Sequence, residues 1–137
     1  MRPLHYRFFW LALGVVLLAL VLYFTLSAPA FERDLLGGDK LAHGVGFFVL
    51  MFWYAALFQR RYYLWLGLFL LAVGGMIELA QGWMALGRRP GWNDFWADGA
   101  GIIVAGLLSI GYQRSWLEWL EQRVLKRAAP HQSAESP

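Results

Sequence analysis

Nine residues able to bind ions or move protons stand in three short groups: Asp39, Lys40 and His43; Glu78 and Gln81; and Arg88, Arg89, Asp94 and Asp98. Their spacing is helical. Asp39 and His43 are i,i+4, Glu78 and Gln81 are i,i+3, and Asp94 and Asp98 are i,i+4, so each pair can share a helix face. An imidazole titrates near neutral pH, and a carboxylate beside it can orient it or share a cation. His43, Glu78, Asp94 and Asp98 are therefore the candidates for acid–base work or for holding a divalent metal. Arg88 suits bidentate capture of phosphate or carboxylate, and Lys40 suits neutralising an acidic group. Each residue also has a plainer use. Asp39 and Asp94 could cap helices, Lys40 could snorkel to lipid headgroups, His43 could be a hydrogen-bonded structural residue, and the arginines could belong to a wet loop.

The elements that carry these groups decide between the two kinds of use. The chain has 137 residues, of which 59% are hydrophobic, 18% aromatic and only 15% charged, with a mean hydropathy of +0.46. A soluble domain carries about 25% charged residues, and one this size could not bury so much apolar surface behind a wettable exterior. Four stretches are long and apolar, at about 8–26, 41–58, 62–86 and 95–112. A membrane helix needs roughly 20 such residues to cross a hydrocarbon core of about 30 Å. The expected fold is an all-α membrane protein, a bundle of four transmembrane helices, forming one domain over 1–128. Residues 115–127 read as a C-terminal amphipathic interfacial helix with Trp116, Leu117, Leu120 and Val124 on one face, and 129–137 read as a disordered tail.

The first stretch also resembles a signal peptide ending in Ala28-Pro29-Ala30. Its apolar core exceeds the roughly 7–15 residues of a cleavable signal, which favours a retained first span. Four spans place both termini on one side. That side carries Arg2, Arg7, Arg60, Arg61, Arg114, Arg123, Lys126 and Arg127, eight basic residues against four (Arg33, Lys40, Arg88 and Arg89) on the other. The positive-inside bias then makes both termini cytoplasmic. With no cysteine there is no disulfide or thiolate chemistry, and no basic cluster has the layout of a nucleic-acid surface.

In this topology the three polar groups reach the same outer membrane face. Glu78 lies 16 residues into the third span, about 24 Å along it. Asp39, Lys40 and His43 open the second span, and Asp94 and Asp98 open the fourth. An ionised group at the centre of a membrane helix costs on the order of 2.5–3.5 kcal/mol, so these residues should face one another or water in a pocket that holds both His43 and Glu78. Small residues at Ala42 and Gly46, at Gly101 and Ala105, and at Gly74-Gly75 would let the helices approach closely.

The combination Asp39-Lys40-x-x-His43, Glu78-x-x-Gln81, Gly87-Arg88 and then "NDFWADGAG" with Asp94 and Asp98 resembles the VanZ-like family over roughly residues 35–110. These are small bacterial membrane proteins related to one associated with teicoplanin resistance. The resemblance implies a bacterial cytoplasmic membrane, a link to the cell envelope and to glycopeptide resistance, and a polar set of Asp39, Lys40, His43, Glu78, Gln81, Arg88, Asp94 and Asp98. It supplies no reaction. One departure is Pro90-Gly91, where family members often carry a small hydroxyl residue, which removes any serine nucleophile there.

Three functions fit these residues. The first is a protein that binds or modulates an envelope lipid, a cell-wall precursor or an amphiphilic drug. In it Lys40, Arg88 and Arg89 hold an anionic head and Trp83, Trp92 and Trp96 line the interface. The second is a membrane-embedded hydrolase or transferase acting on a lipid-linked phosphate, the only reading that calls for a metal. The third is a structural partner whose polar cluster fixes helix packing. With no H-E-x-x-H, phosphate-binding glycine loop or nucleophile motif, the balance leans away from an enzyme and no cofactor is expected.

Overall fold

A computed structural model describes residues 2–27, 38–83, 92–111 and 116–128. Five α-helices follow one another: α1 Arg7–Ser27, α2 Gly38–Leu57, α3 Tyr63–Trp83, α4 Trp92–Gly111 and α5 Trp116–Ala128, with a 3-10 turn Arg60–Tyr62 leading into α3. The described residues contain no strand. The first four helices are long and apolar enough to cross a membrane, each 20 or 21 residues and so about 30 Å long. Much of their apolar surface, including Phe8, Leu64, Leu79 and Ile103, faces outward. That is the pattern expected where the surroundings are as apolar as the core. The expected third span runs on to Leu86, and the expected tail covers 129–137; both stretches lie outside the described residues.

Helix α2 is the centre of the bundle. Its most extensive contact is with α4, and glycine makes the approach possible. A Cβ on Gly101 would collide with the Gly44 carbonyl oxygen and stand 3.0 Å from the Phe48 nitrogen. Gly44 in turn lies against the Ala97 carbonyl. The crossing therefore runs through Gly44 rather than through the Ala42–Gly46 pair. Ala42 is exposed, and Gly46 meets Val21 of α1. Beside the crossing, Phe47, Leu50, Met51, Leu70, Ile77 and Ala105 form a buried core.

The N-terminal segment and α5 close one end of the bundle. A helix leaves its first N–H and last C=O groups without partners inside the helix. At the start of α1 the Glu121 carboxylate accepts from His5 N (2.7 Å), Tyr6 N (2.9 Å) and Trp10 Nε1 (2.7 Å). At the end of α2, Arg2 donates from its backbone N to Leu57 O (2.9 Å) and from Nε to Phe58 O (3.1 Å), while its guanidinium lies 3.5 Å from Glu118. The face that α5 buries therefore includes Glu121 beside Leu117, whereas Val124 is exposed.

Burial by itself would raise the Glu121 carboxyl. The bonds from Tyr6, His5 and Trp10, with the charge of His5, outweigh burial and hold it below its ordinary value. A depressed folded-state pKa adds stability above the unfolded value of about 4.3, and this is lost as pH falls through the folded one. Thermal melting of the detergent-solubilised protein should therefore weaken on acidification below about pH 5. The Glu121→Gln variant should start lower and lose less over the same range. Parallel pH profiles for the two would disprove the linkage.

Candidate functional site

The opposite end of the bundle holds the polar groups. His43 is the sixth residue of α2, Asp98 the seventh of α4, and Glu78 lies five residues before the end of α3. All three lie in the part of their helices nearest that end of the bundle. His43 and Asp98 have no exposed surface, and Glu78 is buried. His43 Nδ1 stands 3.1 Å from Asp98 Oδ1. An ionised carboxylate can only accept, so in this pairing Nδ1 carries the hydrogen and Nε2 is left as the basic nitrogen. A carboxylate that orients His43 thus comes from α4.

Helix α3 reaches the pair through a glycine. The second carboxylate oxygen of Asp98 accepts no hydrogen bond among the described residues and lies so close to Gly74 that a Cβ there would stand 2.5 Å from it. Glu78 is one turn beyond Gly74 on the same face. Glu78 also forms part of the wall of a cleft of about 350 Å³ between α3 and the start of α4, with Gly75, Met76, Leu79, Trp92 and Phe95. The His43–Asp98 pair, Gly74 and Glu78 are therefore consecutive parts of one end of the bundle, and the cleft gives that end a lateral opening.

The other expected site residues fall as follows. Gln81 is buried, and its amide donates to the Thr25 carbonyl of α1 at 2.9 Å, which ties α1 to α3 at this end. Asp94 is half-buried in the first turn of α4, where a carboxylate favours the helix dipole. Since α2 begins at Gly38 and α4 at Trp92, Asp39 and Asp94 both lie inside the first turn rather than at the cap. Lys40 is exposed. Arg88 and Arg89 lie outside the described residues. Among the described residues no three His, Asp or Glu side chains gather as a metal-ligand group. Sequence reasoning did not single out Gly44 or the Thr25 carbonyl. Both act through the backbone, and only the unusual density of small residues in α2 and α4 hinted at the first.

Fold and site together describe a helical bundle with four membrane-length spans and a buried polar site at one end. Compared with protein families, curated proteins and solved structures, the chain matches none.

Proposed function

We propose that this chain is a VanZ-like integral protein of the bacterial cytoplasmic membrane whose outward-facing pocket binds or modulates an amphiphilic envelope molecule, either a membrane lipid or a cell-wall precursor, or a glycopeptide-type drug. The observation that carries the reading is the buried acid Glu78 in the wall of an apolar lateral cleft, toward the same end of the bundle as the buried His43–Asp98 pair. Intramembrane ionisable groups are costly and mark ligand or ion sites by default. A polar end joined to an apolar cleft suits an amphiphile. Exposed Lys40 supplies a cation for a phosphate at this end, to which the sequence adds Arg88 and Arg89, and exposed Trp92 and Trp96 sit at headgroup level.

Both termini are cytoplasmic in this proposal, and α5 rests at the inner leaflet with exposed Trp119 and Val124 toward the interface. Reporter fusions after Gln59 and after Pro90 should read cytoplasmic and external; the same side for both would break the orientation. For binding, the purified full chain, stripped of lipid in a neutral detergent, is offered an extract of bacterial envelope lipids. Native mass spectrometry should show a bound amphiphile at unit stoichiometry. Retention no greater than that of a bundle lacking buried charge would end the binding reading.

A second reading is favoured by the His43–Asp98 geometry, in which a carboxylate fixes the imidazole tautomer as in acid–base dyads. Under it the protein is a hydrolase or transferase acting on a lipid-linked phosphate, with His43 moving the proton and Asp98 positioning it. Turnover of such a lipid that is abolished by His43→Gln would select it over simple binding.

A further inference from the structure

We infer that the end of the bundle closed by α5 binds anionic phospholipids through Arg7, Arg61 and Arg123, each held against an exposed aromatic ring. The inference concerns the end opposite the polar site and needs only that the four long helices span a bilayer.

The three arginines belong to different elements that meet here. Arg7 opens α1 directly after Tyr6, which donates its N–H to Glu121. Arg61 lies in the 3-10 turn, two residues before Tyr63, to whose hydroxyl Arg2 donates at 3.4 Å. Arg123 lies two residues after Glu121 on α5. Each guanidinium stands over a ring: Arg7 over Phe8 at 4.8 Å, Arg61 over Tyr62 at 4.9 Å and Arg123 over Trp119 at 4.1 Å. A ring face attracts a cation within about 6 Å. The arginines and the rings are exposed. Among the described residues every cation–ring contact is at this end, although Trp83, Trp92 and Trp96 are exposed at the other.

The charge on these arginines is not answered within the bundle. The two acids described at this end are both engaged, Glu118 with Arg2 at 3.5 Å and Glu121 with donors from His5, Tyr6 and Trp10. Arg7, Arg61 and Arg123 have no carboxylate partner among the described residues. The sequence after α4 adds Arg114, Lys126 and Arg127 against Glu135, so the balance stays basic. A ring covers one face of a planar guanidinium and leaves its N–H edges to donate in pairs to a phosphate. Aromatic side chains of membrane proteins settle at headgroup depth, so the ring under each arginine holds the cation at the level of the lipid phosphates. That placement favours a lipid surface over an acidic protein, which has no need to meet its cations at this depth.

The full chain in a neutral detergent is titrated with phosphatidylglycerol and with phosphatidylcholine of the same acyl chains, and bound lipid is counted by native mass spectrometry. Phosphatidylglycerol should bind more tightly. The difference should shrink as ammonium acetate is raised, because salt screens exposed charges. Arg7→Gln, Arg61→Gln or Arg123→Gln alone should weaken phosphatidylglycerol binding about fivefold, the effect of one basic residue near an anionic surface. The triple glutamine variant should bind the two lipids alike and melt close to the parent. The triple variant with lysine at the same positions keeps the charge and should keep part of the preference. Lys40→Gln, at the opposite end, should leave most of it in place. Equal binding of the two lipids by the parent, or a preference that survives the triple glutamine variant or disappears with Lys40, overturns the assignment.

Discussion

Gly101→Ala should unfold or severely destabilise the bundle, at a cost on the order of 3 kcal/mol, the upper end for overpacking a tight interior. The new methyl would meet backbone on both counts, the Gly44 carbonyl oxygen and the Phe48 nitrogen, and neither can rotate away as a side chain would. Relief requires α2 and α4 to separate along their most extensive contact. Separation here also reaches the polar site. Gly44 follows His43 directly, and Gly101 is one turn from Asp98; the crossing that excludes the methyl is what sets the 3.1 Å distance between them. Gly106→Ala is the control on the same helix. Its nearest neighbour would be the flexible end of Met51 at 3.5 Å, so the change should be neutral or slightly stabilising, as removing a helix-interior glycine often is. Thermal melting in detergent reads both variants. A Gly101→Ala protein that melts like the parent would mean that the helices are not in this register.

The parts of the molecule legible in the sequence are those that depend on one helix at a time. The four spans are legible because lipid imposes a length and an apolar composition on every segment that crosses it. That His43, Glu78 and Asp98 lie toward one end of the bundle is legible because helical rise converts position into height. What needs two helices at once was not legible. Spacing alone offers His43 its helix neighbour Asp39; the contact of the imidazole with Asp98 depends on how α2 crosses α4 at Gly44 and Gly101. A small-xxx-small pattern offers several registers, and Ala42–Gly46 satisfies it as well as any; which glycine makes contact depends on the opposing surface. Gln81 has the spacing of a site residue beside Glu78, but the end of α1 brings the Thr25 carbonyl to its amide. The α5 face shows the same limit. An apolar stripe containing Val124 is the natural choice from periodicity. The helix instead buries Glu121 because the turn leading into α1 presents the backbone N–H groups of His5 and Tyr6, and Trp10 an indole N–H, that require an acceptor.

Removing either member of the His43–Asp98 pair should cost more than removing both. With no exposed surface on either side chain, neither can turn to water when its partner is lost. Leaving a buried charge without its hydrogen-bond partner costs several kcal/mol, by the measure of broken buried pairs at about 3–5 kcal/mol, whereas replacing the whole pair by apolar groups is often close to neutral. Asp98→Ala takes the carboxylate from the imidazole Nδ1. His43→Ala strands a carboxylate whose second oxygen lies against Gly74 and accepts no hydrogen bond among the described residues. The double variant removes both polar groups and leaves a cavity, whose cost is that of lost volume alone. A double-mutant cycle on melting or denaturant midpoints should therefore give a coupling of about 1.5 kcal/mol or more, within the range found for contacting pairs. Additive losses would show that the two groups do not act as a unit. Asp98→Asn then separates stability from function. It keeps the shape and can still accept from Nδ1, so the protein should fold. It removes the charge that holds His43 in one tautomer, so any proton transfer at Nε2 should fall steeply, by analogy with the roughly 10⁴-fold loss when the same change is made in a protease triad. If Asp98→Asn leaves the captured amphiphile and any turnover of it unchanged while the alanine cycle shows strong coupling, the pair serves to hold α2 against α4. The functional end of the molecule would then be Glu78 and its cleft alone.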